Sequence, residues 1–167
     1  MPNTAYSASQ KKKRISDIAT IIISTFLVLS GDQVSKTLVS LNMRVGQSIP
    51  IIKGILHITF VRNTGAAFGL FRNSTGFFAI ISITAVLVIL SILARSLREG
   101  KFSANFLFNF GLTLIMAGAF GNLIDRLKFG YVIDFIDVRI WPVFNIADSS
   151  ITIGTFLLLL TFTKKPS

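Results

Sequence analysis

Asp134 and Asp148 are the residues of this chain best suited to acid–base chemistry. Asp134 lies in Val132-Ile133-Asp134-Phe135, between apolar side chains and with no cation beside it in sequence. Loss of hydration there favours the neutral carboxyl and raises its pKa. Asp148 lies in Phe144-Asn145-Ile146-Ala147-Asp148-Ser149-Ser150. Asn145 reads as a helix N-cap. That puts Asp148 in the first helical turn, where the positive helix end favours the anion. Two carboxylates so placed could share one proton and activate water against an amide, with no metal and no covalent nucleophile. On this reading Asp148 is the base and Asp134 the acid, although the titration belongs to the pair.

The remaining polar residues read mainly as support. Asp32 and Lys36 are four apart, which puts them on one helix face as an ion pair. They anchor a helix end or frame a polar pocket. Asn122 and Asp125, three apart, share another face. Arg126 follows directly and is expected to hold Asp125 ionised, which makes Asp125 a scaffold rather than a proton donor. Asp137 reads as a solvated loop acid or as a partner of Arg139. The segment Asn63-Thr64-Gly65-Ala66-Ala67-Phe68-Gly69 has the small residues that let backbone approach a ligand. Trp141-Pro142 reads as an interfacial anchor. There is no cysteine and one histidine, His57, so thiolate chemistry, disulfides and a Cys/His zinc site are excluded. His57 sits in a strand pattern and reads as packing. No metal or cofactor is expected.

These residues are carried by an apolar chain of 167 residues, 51% hydrophobic and 14% charged, against about 25% charged in soluble domains. Mean hydropathy is +0.69. A soluble globular protein and a disordered one are both disfavoured. The net charge of +10 does not predict a nucleic-acid partner, because so apolar a chain offers no folded basic face. The expectation is a mainly α membrane protein, a single integral domain over 1–167 with four transmembrane helices. A bilayer core about 30 Å thick needs about 20 apolar helical residues, and segments 15–37, 75–97, 103–124 and 147–162 qualify. The last is about 16 residues, or about 24 Å of helix, which keeps Ala147 near the membrane surface. The basic run Lys11–Arg14 before the first span resembles a signal peptide, but no A-x-A site follows and three further spans do. A retained first helix is expected, behind a disordered tail over 1–10. The outer loop, about 44–72, reads as β structure around a Lys53-Gly54 turn. Segments 1–17, 95–102 and 164–167 hold nine Lys/Arg in 29 residues, while 36–74 and 125–146 hold eight in 61. Both termini are therefore expected in the cytoplasm, with the acids at the outer face.

Taken together, five blocks resemble the lipoprotein signal peptidase (signal peptidase II) family of bacterial membrane aspartic peptidases. They are Asp32-Gln33-Val34-Ser35-Lys36, Asn63-Thr64-Gly65-Ala66-Ala67-Phe68, Gly121-Asn122-Leu123-Ile124-Asp125-Arg126, Val132-Ile133-Asp134-Phe135 and Phe144-Asn145-Ile146-Ala147-Asp148. The resemblance covers nearly the whole chain. It implies a catalytic dyad at Asp134 and Asp148. Asn63, Gly65, Asn122, Arg126, Asn145 and Ala147 would line the site or contact substrate. Asp32 and Lys36 would form its polar surround, with Asp125 in support. It implies lipid-modified lipoprotein precursors as substrates, membrane lipids as surroundings, a monomer, and a bacterial cytoplasmic (inner) membrane location. One departure is a stretch between Asp134 and Asp148 shorter than is typical of the family, in which that loop helps cover the site.

Three other readings compete. A proton-coupled transporter would put its acids mid-span, whereas most acids here cluster at one end. A Mg²⁺-dependent lipid transferase would want paired acids on one helix. A non-enzymatic scaffold would leave every acid structural.

Overall fold

A computed structural model describes residues 4–65 and 74–163. Part of the small-residue block, from Ala66 to Gly69, lies outside the described residues. Seven elements follow in order. They are α1 (Thr4–Asn42), β1 (Ser48–Ile52), β2 (Leu56–Asn63), α2 (Thr75–Arg98), α3 (Phe106–Phe129), β3 (Val132–Asp137) and α4 (Ile146–Thr163). All four helices are long and apolar enough to cross a membrane.

The helices form because apolar runs of this length hide their backbone polar groups in internal hydrogen bonds, which hydrocarbon requires. α3 is the central helix. Two-thirds of its apolar window (67%) is buried within the protein, against 11%, 22% and 17% for α1, α2 and α4. The outer three present Ile22, Phe26, Ile80, Leu87, Phe156 and Leu159 outward. In water these would be a large apolar liability; in a bilayer they face lipid.

Close approach of α3 and α4 depends on glycine. A Cβ on Gly111 would stand 2.8 Å from the Gly154 carbonyl oxygen, and one on Gly154 would stand 2.5 Å from that of Gly111. A Cβ on Gly118 would collide with the Ala147 carbonyl oxygen, and one on Gly121 would stand 2.8 Å from Asp32 Oδ2. The stripe therefore brings the first turn of α4 against α3. Ile89, Leu93, Phe102, Leu112 and Met116 fill the other side of α3.

The strands form one antiparallel sheet in the order β1-β2-β3. Gly54 turns the β1–β2 hairpin with φ +77°. Gly130 ends α3 at φ +75°, its N–H bonded to the Arg126 carbonyl, and so turns the chain straight into β3. Pairing then sets Val61 opposite Asp134 and Asn63 opposite Val132. Val39, Phe60, Ile133 and Phe135 pack the sheet against the bundle.

Several boundaries differ from those the sequence predicts. The tail expected to be disordered over 1–10 is helical from Thr4, because nothing in the Lys-rich segment breaks a helix and a polar extension beyond lipid costs little. α1 also continues past 37 to Asn42. At 39 residues it is about 58 Å long, roughly twice a bilayer core. α3 starts after 103 and runs on through Asp125 and Arg126 to Phe129, since those side chains find partners from inside the helix. Strand β3 has no counterpart in the sequence reading. Its short apolar run completes the sheet only once α3 has turned.

Gly118→Val should cost about 1–3 kcal/mol by overpacking, read as a lowered thermal midpoint. Gly76→Ala should leave the midpoint unchanged or slightly raised, since a Cβ there meets nothing within 4 Å.

Candidate active site

The site is built outward from one buried cation. The side chain of Lys36 is 2% exposed. Its Nζ lies 2.8 Å from Asp32 Oδ2 and 2.9 Å from Asp125 Oδ2, and donates to Asn122 Oδ1 at 3.0 Å. An ammonium has three donors, and all three are used. The remaining capacity of the two acids is met by backbone and amide groups. Asp32 Oδ1 accepts the Ala147 N–H at 2.9 Å, and Asp125 Oδ2 accepts the Ile133 N–H at 3.1 Å. Gln33 Nε2 donates to both acids. This cluster ties α1 to α3, β3 and the N-terminus of α4. Asp32 also satisfies an orphan donor of the first turn of α4, where an anion is favoured.

Lys36 also fixes the amide of Asn122. With Oδ1 on the cation, its NH₂ turns the other way and donates to Asp148 Oδ1 at 2.7 Å. Asn145 works on both candidate acids. Its Oδ1 accepts the Asp148 N–H at 2.8 Å, as an N-cap does, and the Asn145 N–H reaches Asp148 Oδ2 at 3.3 Å. Its Nδ2 donates to Asp134 Oδ1 at 2.7 Å. On the other side Asn63 Nδ2 donates to Asp134 Oδ2 at 2.9 Å, while Asn63 Oδ1 accepts the Gly65 N–H at 3.0 Å. Asp134 is thus held by two amides and has no ion-pair partner among the described residues.

Asp134 and Asp148 open on one cavity of about 290 Å³, shared with Asn63, Asn122, Arg126 and Phe144. The pKa of Asp134 is pushed up to about 7. Burial is the main cause and the negative charge of Asp148 adds to it, against the hydrogen bonds from Asn63 and Asn145 and the pull of Lys36. The cavity therefore presents a carboxyl whose pKa is raised into the neutral range beside a second one at a helix start.

One expectation about pairing needs correction. Asp125 is held by Lys36, not by Arg126. Successive helix residues point about 100° apart, so sequence neighbours do not face each other. Arg126 turns to the cavity, where its guanidinium lies 5.5 Å from the Phe78 ring centroid and donates to Ser82 Oγ at 3.3 Å. Of the two readings of Asp137, the structure shows the partner of Arg139 and not the solvated loop acid. Asp137 is buried, accepts from Thr59 at 2.7 Å and pairs with Arg139 at 2.9 Å, away from the cavity. His57 bonds Ser48 within the sheet. Trp141 is exposed at the cavity rim. Among the described residues no three acidic or imidazole groups gather as metal ligands do.

Sequence reasoning missed Gln33, Ser82 and Phe78. Gln33 stood inside the Asp32–Lys36 block and was visible there as a neighbour. Ser82 and Phe78 give no signal in an apolar helix, because only the packing of α2 on α3 brings them to Arg126.

Lys36→Met should cost about 3–5 kcal/mol, because two buried carboxylates lose their counter-charge. Arg95→Gln breaks only an exposed, solvent-screened pair with Glu99 and should leave the stability nearly unchanged. Chemical denaturation in detergent micelles compares the two.

A family model described as signal peptidase (SPase) II matches residues 24–164. A lipoprotein signal peptidase from Halothermothrix orenii is 43% identical over 140 residues, covering 84% of this chain and 92% of its own. One from Staphylococcus epidermidis is 44% identical over 158 residues, covering 92% and 94%. Two solved bacterial membrane enzymes, both determined by the in meso method, match with TM-scores of 0.80 and 0.78 at 35% and 37% identity. They align with 90% and 89% of this chain and with 94% and 96% of their own. The chain is a multi-pass membrane protein. By family match, by relatives aligned almost end to end and by fold, it belongs to the signal peptidase II family.

Proposed function

We propose that this protein is an aspartic endopeptidase that removes the signal peptide from diacylglyceryl-modified prolipoproteins, cutting just before the lipidated cysteine. The observation that carries this reading is the single cavity onto which Asp134 and Asp148 both open, with burial pushing the Asp134 pKa up to about 7.

The chemistry follows from those two environments. Asp148, in the first turn of α4, takes a proton from a water held between the carboxyls as its oxygen attacks the scissile carbonyl. Asp134 gives its proton to the carbonyl oxygen as charge develops there. As the tetrahedral intermediate collapses and its C–N bond breaks, the proton on Asp148 passes to the leaving amine and Asp134 takes back a proton from one hydroxyl of the intermediate, which restores both carboxyls to their starting states. Asn63 and Asn145 hold Asp134 in line, and Asn122 holds Asp148. Arg126 faces the cavity and is suited to a backbone carbonyl of the substrate.

The substrate class fits the setting. A bond between an apolar signal helix and an acylated cysteine lies at the bilayer surface. The first turn of a fourth helix of only 18 residues reaches that depth. An apolar trough of about 440 Å³ beside the cavity, lined by Trp141, Phe144, Thr152 and Ile153, accommodates a lipid-embedded flank. The Lys/Arg distribution supports an orientation with this end of the bundle at the outer face of the cytoplasmic membrane and both termini inside. The enzyme acts as a monomer, since the site is assembled within one chain.

The test incubates purified protein with a diacylglyceryl-modified prolipoprotein beside its unlipidated form and weighs the products. Only the lipidated form should lose the mass of its signal peptide. Equal cleavage of both forms would refute the substrate assignment. Asp134→Asn and Asp148→Asn should each lower kcat by about 10²–10⁴ or more, with helix content unchanged by circular dichroism. A near wild-type rate in Asp134→Asn would refute the pairing of Asp134 with Asp148.

A pH dependence accompanies the mechanism. The acid is competent while Asp134 keeps its proton, so the rate should be sustained below about 7 and fall as pH rises through that value. The slope should approach tenfold per pH unit. A flat kcat profile from pH 6 to 9 would count against Asp134 as the acid.

A further inference from the structure

We propose that the end of the bundle opposite the catalytic cavity holds a second site, a basic cavity that takes the phosphate of an anionic phospholipid headgroup. This cavity, about 430 Å³, lies between the N-terminal part of α1 and the C-terminal end of α2. Its walls carry Lys11, Lys13, Arg14 and Arg98 against two acids, Asp17 and Glu99.

Neither acid neutralises the four cations. Glu99 is held by Arg95 and by Lys101, each at 2.7 Å, and neither of these lines the cavity. Asp17 is buried and accepts a hydrogen bond from the Ser103 hydroxyl. The other five acids of the chain all lie at the catalytic end or in the sheet. Among the described residues, therefore, Lys11, Lys13, Arg14 and Arg98 have no carboxylate in ion-pair contact. Four like charges around one concavity repel one another, and an anion seated among them relieves that repulsion. Two guanidinium groups suit a phosphate in particular, because each can engage two oxygens.

Depth identifies the source of the phosphate. Arg14 and Asp32 are eighteen residues apart on one unbroken helix, about 27 Å. That is close to the thickness of a bilayer core, about 30 Å. Asp32 stands level with the first turn of α4, which it caps. With the catalytic cavity at one headgroup layer, the basic cavity falls at the other. Below it, Ile15, Ile18 and Ile22 of α1 are exposed. A lipid can thus seat its phosphate among the cations and lay its chains along these side chains, as acidic lipids do in basic pockets at helix ends.

The experiment is native mass spectrometry of the full-length protein released from nanodiscs of phosphatidylcholine with phosphatidylglycerol. Wild type should retain phosphatidylglycerol in preference to phosphatidylcholine. Arg14→Gln/Arg98→Gln should weaken that retention by about tenfold or more. Lys12→Gln/Lys53→Gln removes the same number of charges outside the cavity and should change nothing. Lys11→Gln/Lys13→Gln provides an independent pair should the arginine variant not fold, and should weaken retention likewise. Equal loss in the Lys12/Lys53 control, or no loss in either cavity variant, would overturn the site. Displacement of the lipid by an equal excess of inorganic phosphate would overturn the lipid assignment in favour of a soluble phosphate.

Discussion

The ammonium of Lys36 is the constraint on which the rest of the site depends. It lies out of water between Asp32 and Asp125 and orients Asn122. A buried charge is tolerable only when its partners are complete, and here completion recruits four elements. Asp32 reaches the start of α4, Asp125 reaches the start of β3, and Asn122 passes the polarity on to Asp148. The two segments that carry the cavity acids are therefore placed by the same cation, although neither acid is in ion-pair contact with it.

The four acids at this end of the bundle divide by partner. Asp32 and Asp125 face a cation, the Lys36 ammonium, at ion-pair distance. Asp134 and Asp148 face amides and backbone N–H groups. An amide donor supports a carboxylate without compelling its ionisation, so burial and mutual repulsion decide the outcome. Asp134 accordingly titrates near neutrality while lying only a few residues from Asp137, which an arginine and a threonine hold. Such a perturbed group, set in a cleft, is characteristic of functional sites.

Much of this was readable from the chain, for identifiable reasons. The four helices announce themselves because hydrocarbon demands long apolar runs, and the β1–β2 hairpin because Gly54 divides two β-branched segments. The Asp32–Lys36 pair and the Asn145 cap follow from spacing within one helix turn. What spacing cannot show is contact across elements. Lys36 meets Asp125 only because α1 lies on α3, and adjacency in sequence pointed wrongly to Arg126. β3 was missed because four apolar residues around an acid suit a strand no better than a loop until a partner edge exists.

The connector between the two cavity acids is closed at its neck. The Phe135 and Ile136 N–H groups both bond the Phe144 carbonyl, and the Phe144 N–H returns to the Ile136 carbonyl. Asn145, just beyond, grips Asp134 and Asp148 together. The geometry of the pair is thus set below the neck, and beyond it Trp141, Pro142 and Val143 line the cavity. A change in the length or sequence of residues 138–143 would therefore reshape one wall of the cavity and leave in place the hydrogen bonds that hold the two carboxyls.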